Sequence, residues 1–207
     1  RKIVLLLSAI SAIAAASTDI YLSAMPLIKQ QFHTSQVGIQ LTLSLFFIPF
    51  ALGQLIWGPL SDRYGRRPIL IIGFIVYLMG SIGCAGAFSI STLIWARIIQ
   101  ALGAAGAMTM VFAIVRDLYT HKQSAKVLSI IIAMVGIAPI LAPIIGGVLT
   151  QYISWRASFI FLTIYGLMMI LWVLRLHETH ENKLKRINPI TILKAYHQHL
   201  TNFKFIV

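Results

Sequence analysis

Acidic residues are scarce in this chain: five Asp and Glu in 207 residues, against 17 Lys and Arg, for a net charge of +12. Charged residues make up 11%, where a soluble domain carries about 25%. That deficit excludes a water-soluble globule and places the chain in a bilayer. A single cysteine, Cys84, excludes an intramolecular disulfide. The six histidines show no metal-ligand spacing, and neither a nucleophile elbow nor a phosphate-binding loop is present. The chain therefore reads as no enzyme, with no metal and no cofactor. Nor does the positive excess form a nucleic-acid surface, because the basic residues are parcelled between long apolar runs.

Those runs are what the chain does have. Hydrophobic residues are 58% of the total and the mean hydropathy is +0.86. A spanning helix needs about 20 mostly apolar residues. Six segments qualify, at Ile3–Ile28, Val37–Gly58, Pro68–Phe88, Thr92–Leu118, Ser124–Tyr152 and Ala157–Leu176. The expected class is an all-α integral membrane protein whose short connections make successive spans antiparallel. With the N-terminus inside, all Lys and Arg but Lys29, Arg97 and Arg156 fall at inner ends, the pattern that orients membrane proteins. Residues 177–202 read as a linker carrying an amphipathic helix on the inner surface, where Ile187, Ile190, Leu193, Tyr196 and Leu200 recur at helical spacing. Residues 203–207 begin another apolar run. Since the chain also opens on Arg1, it reads as a piece of a longer polypeptide.

Two ionisable residues lie inside spans, where a charge costs about 2.5–3.5 kcal/mol on insertion scales. Asp19 sits about 24 Å along the first span and Arg97 about 8 Å into the fourth, at 1.5 Å per residue. Antiparallel packing puts both in the outer half of the membrane. Either they neutralise each other and fix packing, or they line a polar cavity that handles a proton or cationic substrate. The second reading is favoured, because burying two ions is seldom net stabilising. Gln100, one turn from Arg97, joins the same face.

Small residues mark close helix contacts: Gly80, Gly83 and Gly86 in the third span, and Gly103 to Ala107 in the fourth. In the fifth span Pro139 and Pro143 bend the helix ahead of Gly146 and Gly147. Between the second and third spans the connection runs Gly58-Pro59-Leu60-Ser61-Asp62-Arg63-Tyr64-Gly65-Arg66-Arg67. Gly65 suits a tight turn, and Asp62 suits the amides of a helix start. With Arg116 and Asp117 at the inner end of the fourth span, an Asp62/Arg66/Asp117 charge cluster is expected.

The pattern Gly58-x-x-x-Asp62-x-x-Gly65-Arg66-Arg67 resembles the signature between the second and third helices of the major facilitator superfamily. The run Ser17-Thr18-Asp19-Ile20-Tyr21-Leu22 is similar to the first-helix motif of its drug:proton antiporters, the bicyclomycin-resistance (Bcr/CflA) branch in particular. Arg97-Ile98-Ile99-Gln100-Ala101-Leu102-Gly103 resembles the fourth-helix motif, whose arginine is implicated in proton coupling. Ala142-Pro143-Ile144-Ile145-Gly146-Gly147 resembles the fifth-helix antiporter motif, with alanine in place of its first glycine, as in that branch.

The resemblance implies the N-terminal half of a twelve-span carrier, built as an inverted 3+3 repeat, with the site between the halves. Its partners would be the lipid bilayer, a C-terminal six-helix half of the same polypeptide, protons and a small drug-like substrate, in a bacterial inner membrane. Asp19 would trade a proton against cargo beside Arg97 and Gln100, Tyr21 and Phe46 would supply contact area, and the Asp62, Arg66, Asp117 group would latch the outward-facing state. One alternative is an exporter of a metabolite such as an amino acid or sugar. Another is a non-transporting scaffold or truncated product.

Overall fold

The computed structural model describes residues 2–179. Every regular element among them is an α-helix: α1 Lys2–Gln31, α2 Gln36–Tyr64, α3 Arg66–Ala85, α4 Ile90–Leu118, α5 His121–Val135, α6 Ala138–Tyr152 and α7 Trp155–Val173. With α5 and α6 counted together, six segments are long and apolar enough to cross a membrane. The expected linker helix and the start of a seventh span lie outside the described residues, apart from positions 177–179.

Local chemistry sets the helix starts. Ser35 accepts from the Gly38 amide at the head of α2, and Ser89 and Thr92 form a reciprocal capping box at the head of α4. Each satisfies amides that a helix start leaves without partners.

Two expected boundaries need correction. The connection after Gly58 is not a loop: α2 continues through Pro59, Ser61 and Asp62 to Tyr64. Only Gly65, at φ 102°, separates it from α3. That backbone region is open to glycine and strained for other residues. The fifth span breaks at Gly136–Ile137, ahead of both prolines. Pro139 occupies the first turn of α6 and has no N–H to give the Val135 carbonyl, so the ladder fails one turn before the proline. Pro143 is carried inside α6 without a second break.

α4 is the most enclosed span, whereas α2 and the α5/α6 span are the least. The tightness of α3 on α4 comes from missing side chains. A methyl group on Gly103 would collide with the Tyr77 backbone, and one on Gly80 with the Gln100 backbone. Such close approach supplies van der Waals contact where hydrophobic exclusion from water offers none. α2 is pinned to α4 by the Trp57 indole, which donates to the Leu102 carbonyl at 2.8 Å. On the other side of α1, Gly146 of α6 lies against the Ile20 backbone so closely that no Cβ fits.

Candidate functional site

Arg97 is fully buried among α1, α3 and α4. Its Nη1 donates to the Ser17 carbonyl at 2.9 Å and to Gln100 Oε1 at 2.8 Å. Gln100 in turn donates to Ser81 Oγ at 2.9 Å, and Ser81 to the Tyr77 carbonyl at 2.9 Å. The Tyr77 hydroxyl lies 2.7 Å from Ser17 Oγ, which gives its own proton to the Ile13 carbonyl at 2.6 Å. The result is a closed polar ring joining three helices inside an apolar bundle. Nearly all buried polar atoms in folded proteins find partners, and Ser17, Tyr77, Ser81 and Gln100 obey that rule.

Arg97 itself does not obey it fully. Its Nε and Nη2 are buried and without a hydrogen-bond partner. The guanidinium carbon instead lies 4.4 Å from the Phe46 ring centroid and 4.6 Å from that of Tyr21. Desolvated cation–π contacts of this kind are worth about 2 kcal/mol or more. Tyr21 is held in turn by a hydroxyl contact with Thr42. Tyr21 and Phe46 are thus buried against the arginine. Contact area for a substrate is expected of them; in this half both are buried, with the ring of each turned to Arg97.

Asp19 stands apart. It is half-buried on α1, and its carboxylate lies 3.2 Å from the Thr18 hydroxyl, which is closer to the Ala15 carbonyl at 2.9 Å. The ion pairs among the described residues join Arg66 to acids, not Arg97 to Asp19. The simple neutralising pair is therefore not formed here. α1 brings Asp19 next to the Ile20 carbonyl on which Gly146 packs, so the acid sits where α6 crosses α1. Ala142 is buried near the same crossing, while a methyl on Gly147 would meet nothing within 4 Å.

The second group of candidate residues gathers at the Gly65 end. Arg66 donates from Nη1 to Asp62 Oδ1 at 2.6 Å and from Nε to Asp117 Oδ2 at 2.9 Å. A further bond from Nη1 reaches Ser61 Oγ at 2.5 Å. The Arg66 side chain is 6% exposed, those of Asp62 and Asp117 40% and 19%. The expected triad is assembled, with α2, α3 and α4 each contributing one member. Beside it opens a cavity of about 490 Å3, lined by Gly58, Asp62, Met108, Thr109 and the exposed Arg116 among others.

Asp62 does not cap the start of α3, however. The carboxylate on the Arg66 amide is that of Glu178, at 2.8 Å. Arg67 turns away from the triad and donates to the Leu174 carbonyl at 2.6 Å, where α7 has just ended.

Ser17, Thr42, Tyr77, Ser81 and Glu178 were not singled out from sequence. Tyr77 did carry a signal, since a tyrosine hydroxyl buried in an apolar span requires a partner. Glu178 carried none, because its partner is 112 positions away.

An all-helical bundle with ionisable groups at its centre, a charge clasp at one end and six helices able to cross a membrane defines a polytopic membrane protein. The major facilitator superfamily model matches residues 7–206, and the chain belongs to that family. It is 39% identical over 168 residues to a chloramphenicol resistance protein of Pseudomonas aeruginosa, covering 81% of this chain and 39% of that one. It is 34% identical over 177 residues to an uncharacterized MFS-type transporter, YdgK, of Bacillus subtilis, covering 84% and 44%. To the multidrug resistance protein MdtL of Klebsiella pneumoniae the figures are 33% over 162 residues, 78% and 41%. The chain therefore spans well under half the length of these relatives.

Among solved structures, the peptide transporter POT in complex with sulfate superposes with a TM-score of 0.76 at 16% identity, over 99% of this chain and 44% of that one. The proton:xylose symporter XylE gives 0.72 at 15% identity, over 99% and 55%. The fold is that of the six-helix N-terminal half of this family.

Proposed function

We propose that this chain forms half of a proton-driven exporter of small amphipathic compounds, of the bicyclomycin-resistance branch, completed by a second six-helix half. The names of its relatives, chloramphenicol resistance and multidrug resistance, support drug export. The observation that carries the coupling is the arrangement at the centre of the bundle. A half-buried carboxylate, Asp19, shares α1 with the segment that holds a fully buried arginine bearing two unused donors.

A carboxylic acid in an apolar setting gains and loses its proton under the control of nearby charge. Arg97 supplies a fixed positive field, because a guanidinium does not deprotonate in proteins. Its charge is held by rings and carbonyls, so Asp19 is left to exchange between a proton and a cargo. Proton and substrate then compete for one carboxylate, which is the minimum an exchange carrier needs. The Gly65 end faces the cytoplasm in this reading, in accord with the arginines gathered there. The Asp62–Arg66–Asp117 clasp then closes the cytoplasmic side in the outward-facing state.

The test is Asp19→Asn in the complete carrier. Export driven by a pH gradient should be abolished, while binding of an uncharged substrate survives. Proton-coupled export at the unmodified rate would remove Asp19 from the mechanism.

A further inference from the structure

The Gly65 turn creates a deficit that another part of the chain makes good. The first amides of a helix need acceptors, normally supplied by a Ser, Thr, Asp or Asn at the position just before it. At α3 that position is Gly65, fixed by its φ of 102° and carrying no side chain to act as a cap. Asp62, the nearest acid in sequence, is committed to Arg66 Nη1. The Arg66 amide is satisfied instead by Glu178 Oε1, which also accepts from the Thr179 amide at 3.0 Å. The next residue, Arg67, takes the Leu174 carbonyl at the end of α7.

The same residue, Arg66, therefore joins both systems. Its side chain holds the clasp across α2 and α4, and its backbone holds the segment that leaves the sixth span. We propose that Glu178 is a positioning residue of the clasp: by capping α3 it fixes Arg66 where the guanidinium reaches Asp62 and Asp117 together, and so ties the segment after α7 to the opening of the Gly65 end. This rests on the clasp reading above. A carboxylate suits the place twice, as an acceptor and as a negative charge at the positive end of a helix.

The test is made in the full-length carrier with Met108→Cys, a cavity-lining position outside the clasp, as reporter. Its alkylation rate from the Gly65 side measures how far that side opens. Glu178→Ala should raise the rate about fivefold, the size of one helix cap. Asp62→Asn should raise it too, and the double variant should go no higher than Asp62→Asn alone, since both act through Arg66. Glu178→Gln keeps an acceptor of the same reach and should restore most of the native rate. Glu178→Asp falls a methylene short and should not. That ranking also decides the matter if Glu178→Ala fails to fold.

A rate within twofold of native for Glu178→Ala, with Asp62→Asn still raised, would overturn the proposal and leave the clasp standing. Additive effects would overturn it as well, by giving Glu178 a separate route. No response to Asp62→Asn would remove the clasp, and the proposal with it.

Discussion

Arg66 and Arg97 are both buried arginines of this chain, and their surroundings are opposites. Arg66 sits near a helix end with two carboxylates, a hydroxyl and a nearby cavity of about 490 Å3. Arg97 sits mid-bundle with no carboxylate, two acceptors and two aromatic faces. An ion pair near the surface is easily broken and remade, because water and counter-ions replace each partner. A cation held by rings and carbonyls has no carboxylate to exchange with among the described residues and keeps its charge. The first arrangement suits a clasp that opens; the second suits a fixed positive charge inside the bundle.

Replacing each arginine with methionine should expose this difference most strongly. Arg97→Met leaves no acid stranded, and the Ser17 carbonyl remains within a helix. The lost ring contacts and the unpaired Gln100 oxygen are offset by relief of a buried charge, so the unfolding transition should move by no more than about 1–2 kcal/mol. Export should fall at least tenfold, because the fixed positive charge on which the proposed coupling depends is gone, about 1.4 kcal/mol or more at the rate-limiting step. Arg66→Met reverses the order, taking from Asp62 and Asp117 the guanidinium they share and destabilising the Gly65 end. Partial exposure of both acids limits that loss to about 1–2 kcal/mol. Thermal unfolding and vesicle export measured on both variants would break the comparison if each lost the same property.

The adjacent glycines of α6 extend the contrast to the α1 crossing. Gly146→Ala drives a methyl into the Ile20 carbonyl beside Asp19, and small-to-large changes in a packed contact cost about 1–3 kcal/mol. Gly147→Ala meets nothing within 4 Å. Stability and export should drop for the first and hold for the second. Equal losses would mean that the face around Gly147 is covered in the complete carrier.

The legible part of the fold was the part set by local pattern. Six apolar runs gave six spans, and the place of Asp62, Arg66 and Asp117 at inner span ends anticipated a cluster that forms. Helix ends were less legible, because Pro59 is tolerated inside α2 while the break at Gly136–Ile137 precedes the proline that causes it. The central site was legible in its charges and not in their relations. Asp19 and Arg97 announce themselves in any apolar run, yet nothing local says that Arg97 rests on Tyr21 and Phe46 and, among the described residues, forms no ion pair with Asp19. Those contacts depend on how α1, α2 and α4 rotate, which is decided by glycines on α3, α4 and α6. Glu178 lies beyond local pattern altogether, since a helix cap supplied from 112 residues away leaves no trace at either position.

The finest distinction concerns which feature of the aromatic pair holds Arg97. Phe46→Leu removes a ring face at 4.4 Å and keeps the volume, so it should loosen the guanidinium by the worth of one cation–π contact, about 0.5–2 kcal/mol. Tyr21→Phe keeps the ring at 4.6 Å and loses only the hydroxyl link to Thr42. Thr42 still donates to the Ile39 carbonyl at 2.5 Å, so no buried donor is stranded. Export by Tyr21→Phe should therefore stay within about threefold of native, with Phe46→Leu the more damaging of the two. The reverse ranking would mean that Arg97 is aligned through the Tyr21–Thr42 link between α1 and α2 and not through the stacked faces, and the fixed field would then change whenever those helices part.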